Sequence, residues 1–250
     1  MPSIDINCDM GESFGSWNMG QDDAIMPYLT SSNIACGFHA GDPNVMLRTV
    51  RRALACNVAL GAHPGLPDLQ GFGRREMALS AAEVYALVAY QIGALQGVAR
   101  TQGAALHHVK THGALYNMTV RDAALATAVA QAVRDVDATL LLYVANDNMA
   151  QAAQELGLRV AFEVYADRSY QDDGTLTPRS QPQAMIEDVD QAVAQVKHMV
   201  KDGVVQALSG KRVPIRADTL CIHGDQPGAV LFAQHIRAVL EADGIRVAAV

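Results

Sequence analysis

The segment LHHVKTH places Lys110 midway between His108 and His112. On a strand, alternate residues share a face, so all three would project to the same side. A lysine on an interior face must find an anion or change its pKa. Carboxylates stand at Asp9 and Glu12 in INCDMGE and at Glu163 and Asp167 in FEVYADR, and further histidines close short apolar runs at His39, His63 and His223. A lone histidine after a strand is ordinarily a satisfied loop residue. Here five of the eight histidines fall at strand ends, which points to convergence. The GFGRRE segment, Gly71 to Glu76, offers Arg74 and Arg75 in a glycine-permitted turn, which suits either a carboxylate or phosphate anchor or a solvated turn.

Something must bring these groups together. Seven short runs, IDINC, NIAC, VALGA, LHHVK, TLLLYV, RVAFEV and TLCIH, read as strands. Between them, Asn44 to Cys56, Ser80 to Gln102, Thr119 to Asp135, Asn146 to Leu156, Pro182 to Lys201 and Pro227 to Ala242 carry helical periodicity. Asp42 before Pro43, Ser80 with Glu83, Thr119 with Asp122 and Pro227 mark helix starts, while Gly103, Gly157 and Gly244 mark stops. Strict alternation with short connections predicts parallel strands joined by right-handed crossovers in one domain over residues 1–250. The exception is Tyr165 to Gln181, a long polar connection that suits a lid or binding loop and equally a solvated surface loop.

Parity along the strands selects the architecture. Ile4, Ile6 and Cys8 oppose Asp5, Asn7 and Asp9; the polar or small sets continue with Asn33, Ala35, Gly37 and His39, then with Ala59, Gly61 and His63. The later strands contribute Glu163, Tyr165 and Asp167, and Thr219, Cys221, His223 and Asp225. A sheet covered by helices on both faces would show near-continuous apolar strands. One apolar and one polar face per strand predicts a closed (β/α) barrel, with the last polar residue of each strand at the C-terminal mouth.

Composition narrows the classes. A net charge of −7 with 18% charged residues gives no basic field for nucleic acid. Cys8, Cys36, Cys56 and Cys221 lack CxxC spacing and read as reduced thiols. The first residues carry no signal-peptide pattern, and the longest uncharged run, Val84 to Ala99, is shorter than the roughly 20 apolar residues a bilayer requires. A cytoplasmic protein without membrane or nucleic-acid partners is expected.

In order along the chain, NCDMGESFG, NIACGFHAGDP, GAHPGLPDLQGFGRR, KTHGALYN, EVYADRSY with DDGTLTPR, and CIHGD resemble the motifs of the LamB/YcsF family across nearly the whole length. Thr111 stands where that family's fourth motif commonly has proline, a change that touches backbone more than chemistry. The resemblance implies a distorted, seven-stranded, TIM-like α/β barrel related to the glycoside hydrolase/deacetylase superfamily. It also implies a role in the ATP-dependent opening of 5-oxoproline to L-glutamate, with partner subunits B and C of a 5-oxoprolinase. The sequence has no GxxxxGK[ST] loop and no GxGxxG opening a helix, so ATP is expected to act through those partners.

For that reaction Asp9 or Glu163 suits the base, Lys110 and Arg168 the cationic roles, and His39, His63, His112 or His223 proton transfer. Asn7, Glu12, Arg74, Asp167, Arg168 and Asp225 are expected to contact substrate. Related deacetylases hold a divalent metal with an Asp and two His, for which Asp9, His39 and His63 are the matching set. Two other readings stay open: a metal-dependent deacetylase or amidohydrolase, and a non-catalytic substrate-binding subunit.

Overall fold

Along β1, Ser3–Met10, Ile4, Ile6, Cys8 and Met10 pack outward into the main core, while Asp5 and Asn7 are buried on the other face among polar side chains. The computed structural model of the chain describes residues 1–178, 180–224 and 228–250. The next strands are β2 (Ser31–Ala35), β3 (Ala59–His63), β4 (His108–Val109), β5 (Leu141–Val144) and β6 (Arg159–Tyr165). A short antiparallel pair, β7 (Val204–Gln206) with β8 (Arg212–Pro214), precedes β9 (Thr219–Ile222) and β10 (Arg246–Val247).

Each of β1 to β5 pairs in parallel with the next, β6 pairs with β9, and β9 returns to β1 through Asp5↔Thr219 to Cys8↔Ile222. The result is the expected closed barrel of seven parallel strands. β10 adds a short parallel pairing to the start of β1, Ser3↔Arg246 and Ile4↔Val247.

The helices are α1 (Asp22–Ile25), α2 (Pro43–Ala55), α3 (Ala81–Thr101), α4 (Gly113–Arg121), α5 (Ala123–Val136), α6 (Asp147–Glu155), α7 (Val189–Asp202) and α8 (Ala229–Ala242). Local chemistry sets their ends. Asp42 accepts from the backbone N–H groups of Asn44 and Val45, and Ser80 with Glu83 forms a complete capping box. None of the helices is long and apolar enough to cross a membrane, among the described residues.

Two expected boundaries move. The helix read over Thr119 to Asp135 is two helices broken at Asp122, whose carboxylate accepts from Ala124 and Leu125 and so starts α5; Thr119 instead donates to the Tyr116 carbonyl. α7 begins at Val189 under an Asp188 cap rather than at Pro182, because the preceding residues are drawn into extended pairing, Arg168 with Met185 and Ile186 N–H to the Asp167 carbonyl. The start expected at Pro227 lies outside the described residues, as does Asp225.

The barrel wall divides the packing. Outside, Ile34, Leu60, Val109, Leu142, Val164 and Leu220 meet helix residues such as Val50, Val88, Val129 and Ile236 in one continuous core. Each such side chain contributes about 1.5–3 kcal/mol on burial, so this layer carries the fold. Inside, among the described residues, Leu141, Tyr143 and Ala161 form a small apolar cluster. Asp5 accepts from Thr30, Ser31, Tyr143 and Thr219 hydroxyls, and burial pushes its carboxyl up from the usual range despite those donors. Above it His108 stacks on Tyr143 at 4.1 Å between ring centroids and donates to Asn33 Oδ1 at 2.8 Å. That ring fits because residue 61 is glycine: a Cβ there would lie 2.0 Å from His108 Nε2.

Candidate active site

The polar set converges at the C-terminal mouth. Lys110, next after β4, projects inward and is 3% exposed. Its Nζ lies 2.9 Å from Asp9 Oδ1 and 2.8 Å from Glu163 Oε1, and donates to Cys221 Sγ at 3.2 Å. Burial works against the ammonium, but the flanking carboxylates outweigh it and hold the pKa well above the ordinary lysine value. For Asp9 burial again opposes charge, and the fields of His63 and Lys110 overcome it, keeping the carboxyl well below the usual range.

The two candidate bases differ in surroundings. Glu163 has a fully buried side chain whose Oε1 takes Lys110 and Asn7 and whose Oε2 takes the hydroxyls of Tyr116 (3.1 Å) and Tyr165 (2.8 Å). Its lone pairs are committed. The Asp9 side chain is 27% exposed, and Oδ2 lies 3.3 Å from His63 Nε2 at the edge of a cavity of about 270 Å³. Asp9 is therefore the carboxylate that can meet a substrate water.

Asn7 donates to Glu163 and Thr219 and accepts from Asn33, whose amide also donates to Asp9 and so links the two carboxylates. Across the mouth His223 Nδ1 lies 2.7 Å from Asp167 Oδ2, an arrangement that orients an imidazole for proton transfer. Arg74 lines the cavity with its guanidinium 5.0 Å above the Phe72 ring, whereas Arg75 turns away to pair with Asp68. Arg168 also reaches the cavity wall but spends donors on the carbonyls of Thr177 and Ala184, bracing the segment after β6. Part of that segment is folded on itself through Gln171 N–H to the Thr175 carbonyl and Thr177 N–H to the Ser169 carbonyl.

A histidine cluster sits beside Asp9. His39 stacks face to face on His112, 3.8 Å between centroids, and His63 meets His112 edge-on. The loop carrying Arg74 closes over them at Gly73, whose φ is +63° and where a Cβ would lie 2.8 Å from His39 Cβ. Burial, reinforced by neighbouring imidazoles, pushes His39 well below the ordinary histidine value and His112 down to about 3.

His63 Nδ1 lies 2.8 Å from the Lys110 carbonyl and His112 Nε2 2.8 Å from the Phe72 carbonyl, so each of these nitrogens carries hydrogen. Their other nitrogens face each other at 3.0 Å. Glu12 Oε1 stands 3.4 Å from His39 Nε2 and 3.6 Å from His112 Nδ1. Glu12, His39, His63 and His112 thus form a group able to hold a metal ion among the described residues. It shares His39 and His63 with the expected set; Glu12 and His112 complete it, while Asp9 faces Lys110 and His63.

Every expected site residue within the described chain reaches this region. Sequence reasoning did not single out Tyr116, Tyr165 or Cys221 as site groups, although Cys221 and Tyr165 have the inward parity. Tyr116 had a signal in KTHGALYN: one helical turn beyond His112, it returns to the mouth on α4.

Residues 4–250 match the family model described as LamB/YcsF. The chain is 74% identical over 247 residues to a 5-oxoprolinase A subunit of Bordetella bronchiseptica, with 99% of each chain covered. A solved structure, the lactam utilization protein from Thermus thermophilus, superposes with a TM-score of 0.95 at 48% identity, covering 99% of this chain and 100% of that one. The structure of T48 deacetylase with substrate aligns over 99% of this chain and 88% of its own with a TM-score of 0.51 at 10% identity, a likeness of fold alone.

Proposed function

The chain belongs to the LamB/YcsF family, and from that premise we propose that it is the component of an ATP-dependent 5-oxoprolinase at which the activated lactam of 5-oxo-L-proline is hydrolysed to L-glutamate. The names of its relatives, a 5-oxoprolinase component and a lactam utilization protein, supply the substrate class. The observation that carries the reading is Asp9, held as a carboxylate between Lys110 and His63 at the cavity edge.

A five-membered lactam is a poor electrophile, and phosphorylating its oxygen makes a far better one. Partner subunits B and C, using ATP, perform that activation in this scheme, consistent with a sequence that has no nucleotide-binding loop motif. Asp9 takes a proton as water oxygen bonds to the activated carbon. The ring C–N bond breaks and its nitrogen takes a proton from an imidazole, His223 on Asp167 being the oriented candidate. The acyl phosphate so formed is then hydrolysed by a second water, releasing inorganic phosphate and leaving the glutamate side-chain carboxylate. Lys110 fixes Asp9 and offsets charge developing beside it, and Arg74 receives the substrate carboxylate.

A second reading, metal-dependent hydrolysis of an amide, is favoured by the Glu12, His39, His63 and His112 group. A divalent ion there would lower the pKa of a bound water toward neutrality. One experiment separates the two. The chain is mixed with and without subunits B and C, ATP and 5-oxoproline, and glutamate and ADP are measured. The ATP-coupled scheme requires both products only in the full mixture; glutamate from this chain with ATP alone overturns the division of labour.

A further inference from the structure

Two imidazole nitrogens face each other beside a carboxylate. With His63 Nδ1–H given to the Lys110 carbonyl and His112 Nε2–H given to the Phe72 carbonyl, His63 Nε2 and His112 Nδ1 are left facing each other at 3.0 Å. Glu12 Oε1 lies 3.6 Å from His112 Nδ1, so three atoms of metal-ligating type converge on one position.

We propose that this position is a site for a borderline divalent cation of the zinc class, ligated by His63 Nε2, His112 Nδ1 and Glu12 Oε1, with His39 a positioning residue rather than a ligand. A tetrahedral ion with bonds of about 2.0–2.1 Å keeps its ligand atoms roughly 3.3 Å apart. His63 to His112 at 3.0 Å and Glu12 to His112 at 3.6 Å bracket that spacing. The donors, two imidazoles and a carboxylate, suit zinc-like ions rather than magnesium or calcium. Both imidazoles have the other N–H on a backbone carbonyl, the arrangement that fixes the tautomer and orientation of a metal-binding histidine.

Ring orientation decides the role of His39. An imidazole binds an ion in its own plane. His63 and His112 meet at 82°, so their planes cross and one ion can lie in both, but His39 and His112 are parallel within 6° at 3.8 Å and cannot both contain one ion. Of the two, His112 has its Nδ1 against His63 Nε2 and beside Glu12 Oε1. His39 Nδ1 has no hydrogen-bond partner among the described residues, and Nε2 lies 3.4 Å from Glu12. His39 therefore backs the His112 ring and steadies the Glu12 carboxylate. Asp9 Oδ2, 3.3 Å from His63 Nε2, borders the open side, where a water would stand. Only that last role rests on the hydrolytic reading given above; ion binding does not.

The test loads the chelator-stripped full chain with Zn²⁺ or Co²⁺ and measures bound metal, Co²⁺ visible absorption and the metal-induced rise in melting temperature. Wild type and His39→Phe, which keeps the stack, are expected to bind one ion per chain; His112→Ala and Glu12→Gln should bind at least about tenfold more weakly. If His39→Phe does not fold, imidazole ¹⁵N shifts of the wild type replace it: His63 Nε2 and His112 Nδ1 move on loading and the His39 nitrogens do not. Absence of binding by folded wild type overturns the site. Loss of binding in folded His39→Phe, or direct ligation shifts at His39, overturns the ligand set. Either result leaves the ATP-coupled assay with B and C unchanged in meaning.

Discussion

Lys110 and Glu163 form an ion pair of 2.8 Å whose carboxylate side chain has no solvent exposure at all. The second Glu163 oxygen takes the Tyr116 and Tyr165 hydroxyls, and burial together with the Glu163 charge holds both phenols well above their ordinary pKa. They remain neutral donors. Glu163 thus anchors the lysine that faces Asp9.

Lys110→Met strands Glu163 in the barrel interior and should lower unfolding free energy by about 3–5 kcal/mol in urea titrations. Adding Glu163→Gln should recover part of the stability and none of the glutamate formation by the assembled complex. Wild-type stability in Lys110→Met would show that the pair does not hold the interior together.

Asp9→Asn keeps the shape and removes the base. With B, C, ATP and 5-oxoproline present, glutamate formation is expected to fall by about 10²–10⁴-fold, the usual scale of general-base catalysis. Circular dichroism should show an unchanged fold. Turnover within twofold of wild type would move the base elsewhere.

Arg74→Ala removes the proposed carboxylate anchor. A charge-assisted hydrogen bond of about 1.5–3 kcal/mol corresponds to a KM for 5-oxoproline raised about 10- to 100-fold, with kcat changing less. Arg75→Ala, whose guanidinium serves Asp68, should leave KM alone. Equal effects from both would assign the change to the loop.

His108 gives a pH signature. Burial pushes its folded pKa well below the unfolded value of 6.5, so as pH falls past 6.5 the unfolded chain gains a proton that the folded one refuses. Stability is retained above that point and lost below it, by up to about 1.4 kcal/mol per pH unit from this residue. Urea titrations between about pH 7 and pH 5 should show a shallower slope for His108→Gln than for wild type. Parallel slopes would mean that His108 is already charged in the fold.

Much of this was readable because strand parity is geometric. Asp5, Asn7 and Asp9 had to share a face, and Ile4, Ile6 and Cys8 had to share the other, whatever closed the sheet. Residues after the strands were harder. Asp122 reads in sequence as the acidic partner of a Thr119 helix start, yet its carboxylate accepts from Ala124 and Leu125 and caps α5. Arg168 reads in sequence as a cation for the substrate, yet donors of its guanidinium go to the Thr177 and Ala184 carbonyls, which no residue pattern announces. Ring orientations within the histidine cluster were likewise invisible, because composition records that imidazoles are present and not which way they face.

Asn7 binds Glu163 and Thr219, 156 and 212 residues away along the chain. The bond to Thr219 cannot form before β9 docks between β1 and β6, so the anchored Lys110 and the poised Asp9 exist only in a chain folded to nearly its last strand. Such distant pairings are slow to find. During refolding, helix formation should therefore precede the appearance of a competent mouth by a measurable lag, and catalysis would serve as the latest reporter of barrel closure.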